Sequence, residues 1–177
     1  GRDRIGCEVM RDALQHGGAL DVMRRRFPNA RLPWVDLSTG VNPWPYEPLR
    51  FEPAGLTRLP LRSDDDACRA AMAAAWGAAS ASILLAPGSE LLIRLLPFLI
   101  RAQRVAILSP TYADHTHAWR ESGAEVIETN DPLGFAETAD VVLVCNPNNP
   151  DGRVFAPEAL REAHSHLSRR CGWMDID

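Results

Sequence analysis

Residues 141–152 read VVLVCNPNNPDG: four consecutive apolar side chains, a cysteine, and then a turn made of Asn, Pro, Asp and Gly. An apolar run that does not alternate with polar residues is the signature of a strand buried on both faces, and such strands belong to parallel sheets covered by helices. The run stops abruptly. Pro147 and Pro150 fix the backbone and remove two donors, while Asn146, Asn148 and Asn149 bring amides that both donate and accept hydrogen bonds. Ligands of open α/β sheets gather just beyond the carboxyl ends of the strands, so the turn marks a candidate site as well as a fold. Taken singly, its NP and DG dipeptides are ordinary turn chemistry.

Working outward, the pattern from residue 82 alternates between strand and helix. Strands are expected over 83–86, 104–108, 125–128, 139–145 and from 173 onward, with helices over 89–100, 112–122 and 157–170. Pro97 bends or ends the first of these helices, and Pro157 suits the first turn of the last. This alternation predicts an α/β fold, a three-layer sandwich with a mostly parallel sheet. The front of the chain is less regular. A short helix is expected over 17–27, an extended segment over 34–37, and a loop over 38–48 (STGVNPWPYEP) stiffened by Pro43, Pro45 and Pro48. An alanine-rich helix follows over 64–76, with Ser63 as N-cap and Gly77 as its stop. The expected division is 1–62 for an N-terminal segment with a substrate-side loop, and 63–177 for the large domain.

Composition narrows the function classes. A chain of 177 residues with 46% hydrophobic content can bury a core. Its formal charge of -4 argues against a nucleic-acid surface, which needs a basic excess. The apolar stretch at 91–100 is too short for a membrane span and carries Arg94 and Pro97, and no signal-peptide pattern opens the chain. Cys7, Cys68, Cys145 and Cys171 form no CxxC pair, so reduced thiols in a cytoplasmic setting are expected. The HxH pairs, His115 with His117 and His164 with His166, fall in expected helices, where residues two apart do not share a face, and no metal site is expected from them.

Two junctions beside the opening turn have the chemistry of a binding site. Pro87, Gly88, Ser89 and Glu90 lie where a strand gives way to a helix, and free N–H groups with the helix dipole suit an anion there; a plain N-cap is the structural alternative. Ser109 to Tyr112 end the next strand, where the Tyr112 ring can stack on a planar ligand or pack on the core edge.

The string NPNNPDG, with these two junctions, resembles the NPNNPTG signature of fold-type I pyridoxal-phosphate (PLP) enzymes of the aminotransferase class I/II group, Asp151 standing where that family usually has Thr. The resemblance implies the PLP-dependent type I large-domain fold, incomplete at the C-terminus, and a set of roles. Gly88, Ser89 and Glu90 would bind the PLP phosphate, Glu90 through its N–H. Tyr112 would stack on the pyridine ring, Asn149 would bond its phenolic oxygen, and Asp177 would pair with its protonated nitrogen. Asp175, two residues earlier on the same strand face, remains open for that last role.

All 19 basic residues are arginine, so the lysine that holds PLP as a Schiff base in the resembled enzymes is absent. The chain is therefore expected to be the front part of a longer enzyme, and residues 171–177 read as a strand entering rather than a domain ending. His16 to Gly18, DLSTGVNPWPY at 36–46 and TRLP at 57–60 resemble the cobalamin-pathway branch that decarboxylates L-threonine O-3-phosphate, whereas the related histidinol-phosphate aminotransferases usually carry Arg-Tyr where this chain has Arg58 and Leu59. His16, Gly40 and Asn42 are the candidate contacts for a small phosphorylated amino-acid substrate. The resemblance also implies a homodimer. An aminotransferase and a non-catalytic α/β binding module without the lysine are the alternative readings.

Overall fold

A computed structural model describes residues 18–40, 42, 44 and 57–177. The chain falls into two compact units, one up to Ser80 and one from Ala81. The helix over 62–76, which the sequence division assigns to the large domain, lies in the first unit.

In the first unit, helix α1 spans Leu20–Arg26 and α2 spans Arg62–Trp76. Helix α1 places Asp21 in its first turn and Arg24, Arg25 and Arg26 in its last, the arrangement that suits the helix dipole. Residues 34–37 form no strand among the described residues. Helix α2 corrects the expected N-cap. The Asp64 carboxylate accepts the Leu61 N–H at 2.8 Å and is gripped by the Arg58 guanidinium at 2.7 Å. That satisfies a first-turn donor from inside the helix, so the helix begins two residues early, at Arg62, and Ser63 is absorbed into its first turn. Gly77 ends α2 with φ of 65°, a left-handed backbone that glycine adopts without strain.

The second unit is built on four parallel strands in the order β2-β1-β3-β4: β1 Arg104–Leu108, β2 Glu125–Thr129, β3 Val141–Val144 and β4 Trp173–Ile176. The helices are α3 Ser89–Ile100, α4 Ala113–Glu121 and α5 Pro157–Ser168. Strands β1 and β3, the two unbroken apolar runs, occupy the centre and are buried on both faces. Val105, Ile107, Val141 and Leu143 point to one side, where Trp119 of α4 covers them. Ala106 and Val142 point to the other, against Ala163 and Leu167 of α5. Two helices thus cover opposite faces through the strand alternation, giving the three layers expected.

The expected strand over 83–86 does not form. A short 3-10 turn at Ser80–Ser82 leads into an irregular segment, and no described strand pairs with it. Four apolar residues in a row are compatible with a strand, but a strand exists only where a neighbour takes its hydrogen bonds.

The amino-terminal edge of the sheet is tied down by Asp140. Its carboxylate accepts the Gln103 and Arg104 N–H groups at 2.9 Å each, and its carbonyl accepts the Trp173 N–H at 2.9 Å. Gly172 fits into the same corner. A Cβ there would lie 2.9 Å from Leu167 Cδ2 and 3.0 Å from the Asp140 carbonyl oxygen, and the latter is backbone that cannot swing aside. Gly172→Ala should therefore destabilise the protein by about 1–2 kcal/mol through overpacking, read as a lower midpoint in urea. An unchanged midpoint would show that the corner relaxes freely.

Candidate functional site

Because all four strands run in parallel, their carboxyl ends share one edge of the sheet. Residues 109–112 leave β1, residues 145–152 leave β3, and Asp177 leaves β4. The turn after β3 is organised by Asn148, whose side chain is buried. Its amide donates to the Pro110 carbonyl at 3.0 Å and to Asp151 Oδ1 at 2.7 Å, and its Oδ1 lies 2.8 Å from Thr111 Oγ1. Thr111 Oγ1 is also 3.0 Å from Cys145 Sγ, so one hydroxyl proton is shared between two acceptors. Asn146 contributes from the other side, its Oδ1 accepting the Phe155 N–H at 2.8 Å. Asn149, the residue singled out from the sequence, is exposed at the edge of this locked turn.

Asp151, standing where the resembled signature has Thr, closes the turn with its carboxylate. Its Oδ1 accepts the Arg153 N–H at 3.0 Å as well as the Asn148 amide, closing an Asx-turn. The Arg153 N–H first, and then the Asn148 amide, hold its carboxyl below the ordinary 3.8. A carboxyl lowered in the fold contributes stability above its unfolded value and loses it as pH falls through the lower folded one. The NMR shift of the Arg153 amide should accordingly titrate with a midpoint below 3.8. A midpoint at or above that value would remove Asp151 from the turn.

Asp177 is held from behind. His115 of α4 is buried, with Nε2 3.0 Å from Asp177 Oδ2, and Cys145 Sγ is 3.8 Å from the same oxygen. Burial alone would lower the His115 pKa, but the Cys145 thiol and the Asp177 carboxylate outweigh it and raise the group to about 9. The imidazole is therefore a cation at neutral pH and donates to the Asp177 side chain. Asp177 Oδ1 is bonded by no described residue. Asp175, left open by the sequence, behaves differently: burial and then repulsion from Asp177 raise its carboxyl, with His115 opposing.

The start of α3 forms the third part. Gly88 occupies the N-cap position with φ of 92°, no side chain caps the helix, and Ser89 and Glu90 are exposed in its first turn. The Glu90 carboxylate turns away from the helix end, toward Arg94 Nε at 2.5 Å and the Tyr112 hydroxyl at 3.4 Å. Arg94 reaches on to buried Asp114 at 3.1 Å. Tyr112 thereby joins α3 to the strand edge, half-buried and edge-on to His115 with ring centres 6.1 Å apart.

His115 is the residue the sequence reading passed over. It appeared there only as half of an HxH pair, although its spacing of three from Tyr112 puts both on one side of α4. In the fold His115 turns to Asp177, and His117 turns to Glu121 at 3.0 Å. His164 and His166 also diverge, toward Ser168 and Glu137. Gly40 and Asn42 belong to the first unit and are exposed; Asn42 Oδ1 accepts the Trp44 N–H at 2.9 Å. His16 lies outside the described residues. No described helix is long and apolar enough to cross a membrane.

An open parallel sheet whose carboxyl edge gathers an oriented carboxylate, an aromatic ring and an uncapped helix start defines a class of α/β ligand-binding proteins. The chain belongs to the aminotransferase class I and II family, whose pattern matches residues 55–177. It is 42% identical over 166 residues to the threonine-phosphate decarboxylase of Pseudomonas aeruginosa, covering 93% of this chain and 49% of that protein. It thus spans about half the length of that relative. Among solved structures, L-threonine-O-3-phosphate decarboxylase from Porphyromonas gingivalis superimposes with a TM-score of 0.55 at 24% identity, over 64% of this chain and 35% of that one. Histidinol-phosphate aminotransferase from Sinorhizobium meliloti in complex with pyridoxal-5'-phosphate gives 0.60 at 18%, over 70% and 37%. These two likenesses concern the fold alone.

Proposed function

We propose that this chain supplies the cofactor-binding front part of a PLP-dependent enzyme that converts L-threonine O-3-phosphate to (R)-1-amino-2-propanol O-2-phosphate and CO2. The observation that carries the cofactor reading is the His115–Asp177 pair, a carboxylate fixed through one oxygen, with the other left for a ligand at the edge where such sheets bind. The residues fit PLP on three counts: an anionic acceptor for a protonated ring nitrogen, a tyrosine ring for a flat heterocycle, and an uncapped helix start for a phosphate. When bound, PLP supplies an electron sink for the pair released at the substrate's Cα.

The chain's own residues bind and orient. Asp177 would accept the hydrogen bond of the ring nitrogen, and His115, 3.0 Å from Oδ2, keeps that carboxylate aimed. Gly88, Ser89 and Glu90 offer backbone N–H groups to the phosphate, and the Glu90 carboxylate, engaged by Arg94 and Tyr112, is kept from repelling it. Tyr112 would lie against the ring, and the exposed Asn149 would bond its hydroxyl. His16, Gly40 and Asn42 are proposed to contact the phosphorylated substrate. Residues 63–177 form the large-domain part in this reading, and a cytoplasmic homodimer whose remaining length brings the lysine completes the enzyme.

The substrate choice draws support from the Pseudomonas relative's name and from Leu59 in place of a tyrosine. Incubating the full-length enzyme with PLP and L-threonine O-3-phosphate should release CO2 and yield the phosphorylated aminopropanol. A 2-oxo acid product with no CO2 would assign an aminotransferase instead.

A further inference from the structure

Three side chains from three elements converge behind the site: His115 from α4, Cys145 from the end of β3 and Asp177 from the end of β4. Their ligand atoms all lie within 4.8 Å of one another, with Nε2 at 3.0 Å and Sγ at 3.8 Å from Asp177 Oδ2. Around a tetrahedral zinc ion, bonds of about 2.0 Å to nitrogen and oxygen and about 2.3 Å to sulfur separate neighbouring ligand atoms by roughly 3.3–3.7 Å. Two of the three separations lie close to that range and the third is at most 4.8 Å, so the trio approaches one face of such a tetrahedron and closes onto an ion with shifts of about 1 Å or less. Nitrogen, sulfur and oxygen make a borderline-soft set, which favours zinc or cobalt over the oxygen-seeking magnesium and calcium.

Burial and the surrounding groups agree with that reading. His115 and Cys145 are buried, so neighbours fix their orientation, and Asp177 Oδ1 is bonded by no described residue. Thr111 Oγ1, 3.0 Å from Cys145 Sγ, is the outer partner that orients a sulfur ligand. Asp175, which interacts electrostatically with both His115 and Asp177, adds a second acidic group nearby. Among the described residues, no other three such groups converge in this way.

We propose that the cofactor-free protein binds one thiophilic divalent cation, zinc being the type, through His115 Nε2, Cys145 Sγ and the Asp177 carboxylate. Ligation takes a neutral imidazole and a thiolate, so metal entry releases protons to solvent. Metal binding does not depend on the cofactor reading. Its consequence does: if Asp177 also faces the ring nitrogen of PLP, metal and cofactor exclude one another.

The test is a cobalt(II) titration of the cofactor-free full-length protein carrying Cys7→Ser, Cys68→Ser and Cys171→Ser, with any cysteine outside these 177 residues also replaced by serine, so that Cys145 is the sole thiol. The expected result is one equivalent bound, with a thiolate-to-cobalt charge-transfer band and the intense visible bands of tetrahedral cobalt. Zinc should displace the cobalt and magnesium should not. Cys145→Ser should abolish the charge-transfer band, and Asp177→Asn, which keeps the size of the side chain, should weaken binding at least tenfold. No band in the single-thiol protein, a band that survives Cys145→Ser, or affinity unchanged in Asp177→Asn would overturn the site. Adding PLP should then bleach the cobalt spectrum. PLP that binds and leaves the spectrum intact would remove the cofactor from Asp177 while the metal site stands.

Discussion

Replacing Asp177 by alanine in the full-length enzyme should cost about 10- to 100-fold in PLP affinity, the value of a charge-assisted hydrogen bond, and roughly 100-fold or more in turnover. Under the proposed function the two losses have different origins. Affinity falls because the ring nitrogen loses its acceptor. Turnover falls further because a ring nitrogen without an anionic partner gives up its proton and becomes a poorer electron sink. Asp177→Glu keeps the charge but displaces it by one methylene relative to His115 Nε2, and should recover affinity more than rate. Equilibrium dialysis against PLP and steady-state kinetics separate the two. Wild-type affinity in the alanine variant would assign the ring nitrogen to another group, Asp175 being nearest in sequence.

Asn148→Ala should destabilise the second unit by about 2–4 kcal/mol, because three partners lose a hydrogen bond at once in a buried place. The Pro110 carbonyl loses its donor, Thr111 loses an acceptor, and Asp151 keeps only the Arg153 N–H. The neighbouring Asn149→Ala provides the contrast. That side chain is exposed, so its loss should leave the unfolding midpoint within about 0.5 kcal/mol of wild type, as is usual for surface substitutions. Under the proposed function it should lower PLP affinity instead. Chemical denaturation of both variants reads the difference, and equal destabilisation would mean that the two asparagines share the structural load.

These two residues also show what the sequence made legible. NPNNPDG marked the turn and its place at a strand end, because unbroken apolar runs and proline-rich turns are local signals. The same logic located β1 residue for residue and β3 within its flanks. It could not say which asparagine of the pair points inward, since that depends on where Pro110 and Thr111 arrive from another strand. His115 was hidden for the same reason. Its role arises from Asp177, 62 residues away, and from Cys145, and no spacing within α4 encodes either. The start of α2 was misplaced because Asp64, tied by Arg58, outcompetes a serine that looks like a good cap. Residues 83–86 were read as a strand from composition, when strand formation is a property of pairs.

The corner held by Asp140 and Gly172 lies at the opposite end of the strands from the turn that carries Asn148. That separation divides the chain's freedom to vary. Along the amino-terminal edge, tolerated changes should be those that preserve folding, whatever the protein's chemistry. Along the carboxyl edge, a change can redirect chemistry with little harm to folding, provided Asn148 stays. A saturation library scored in parallel for abundance and for ligand binding would then show two separate bands of intolerance, one at each end of the same four strands. Descendants of such a scaffold can acquire new reactions by rewriting one rim while inheriting the other unchanged.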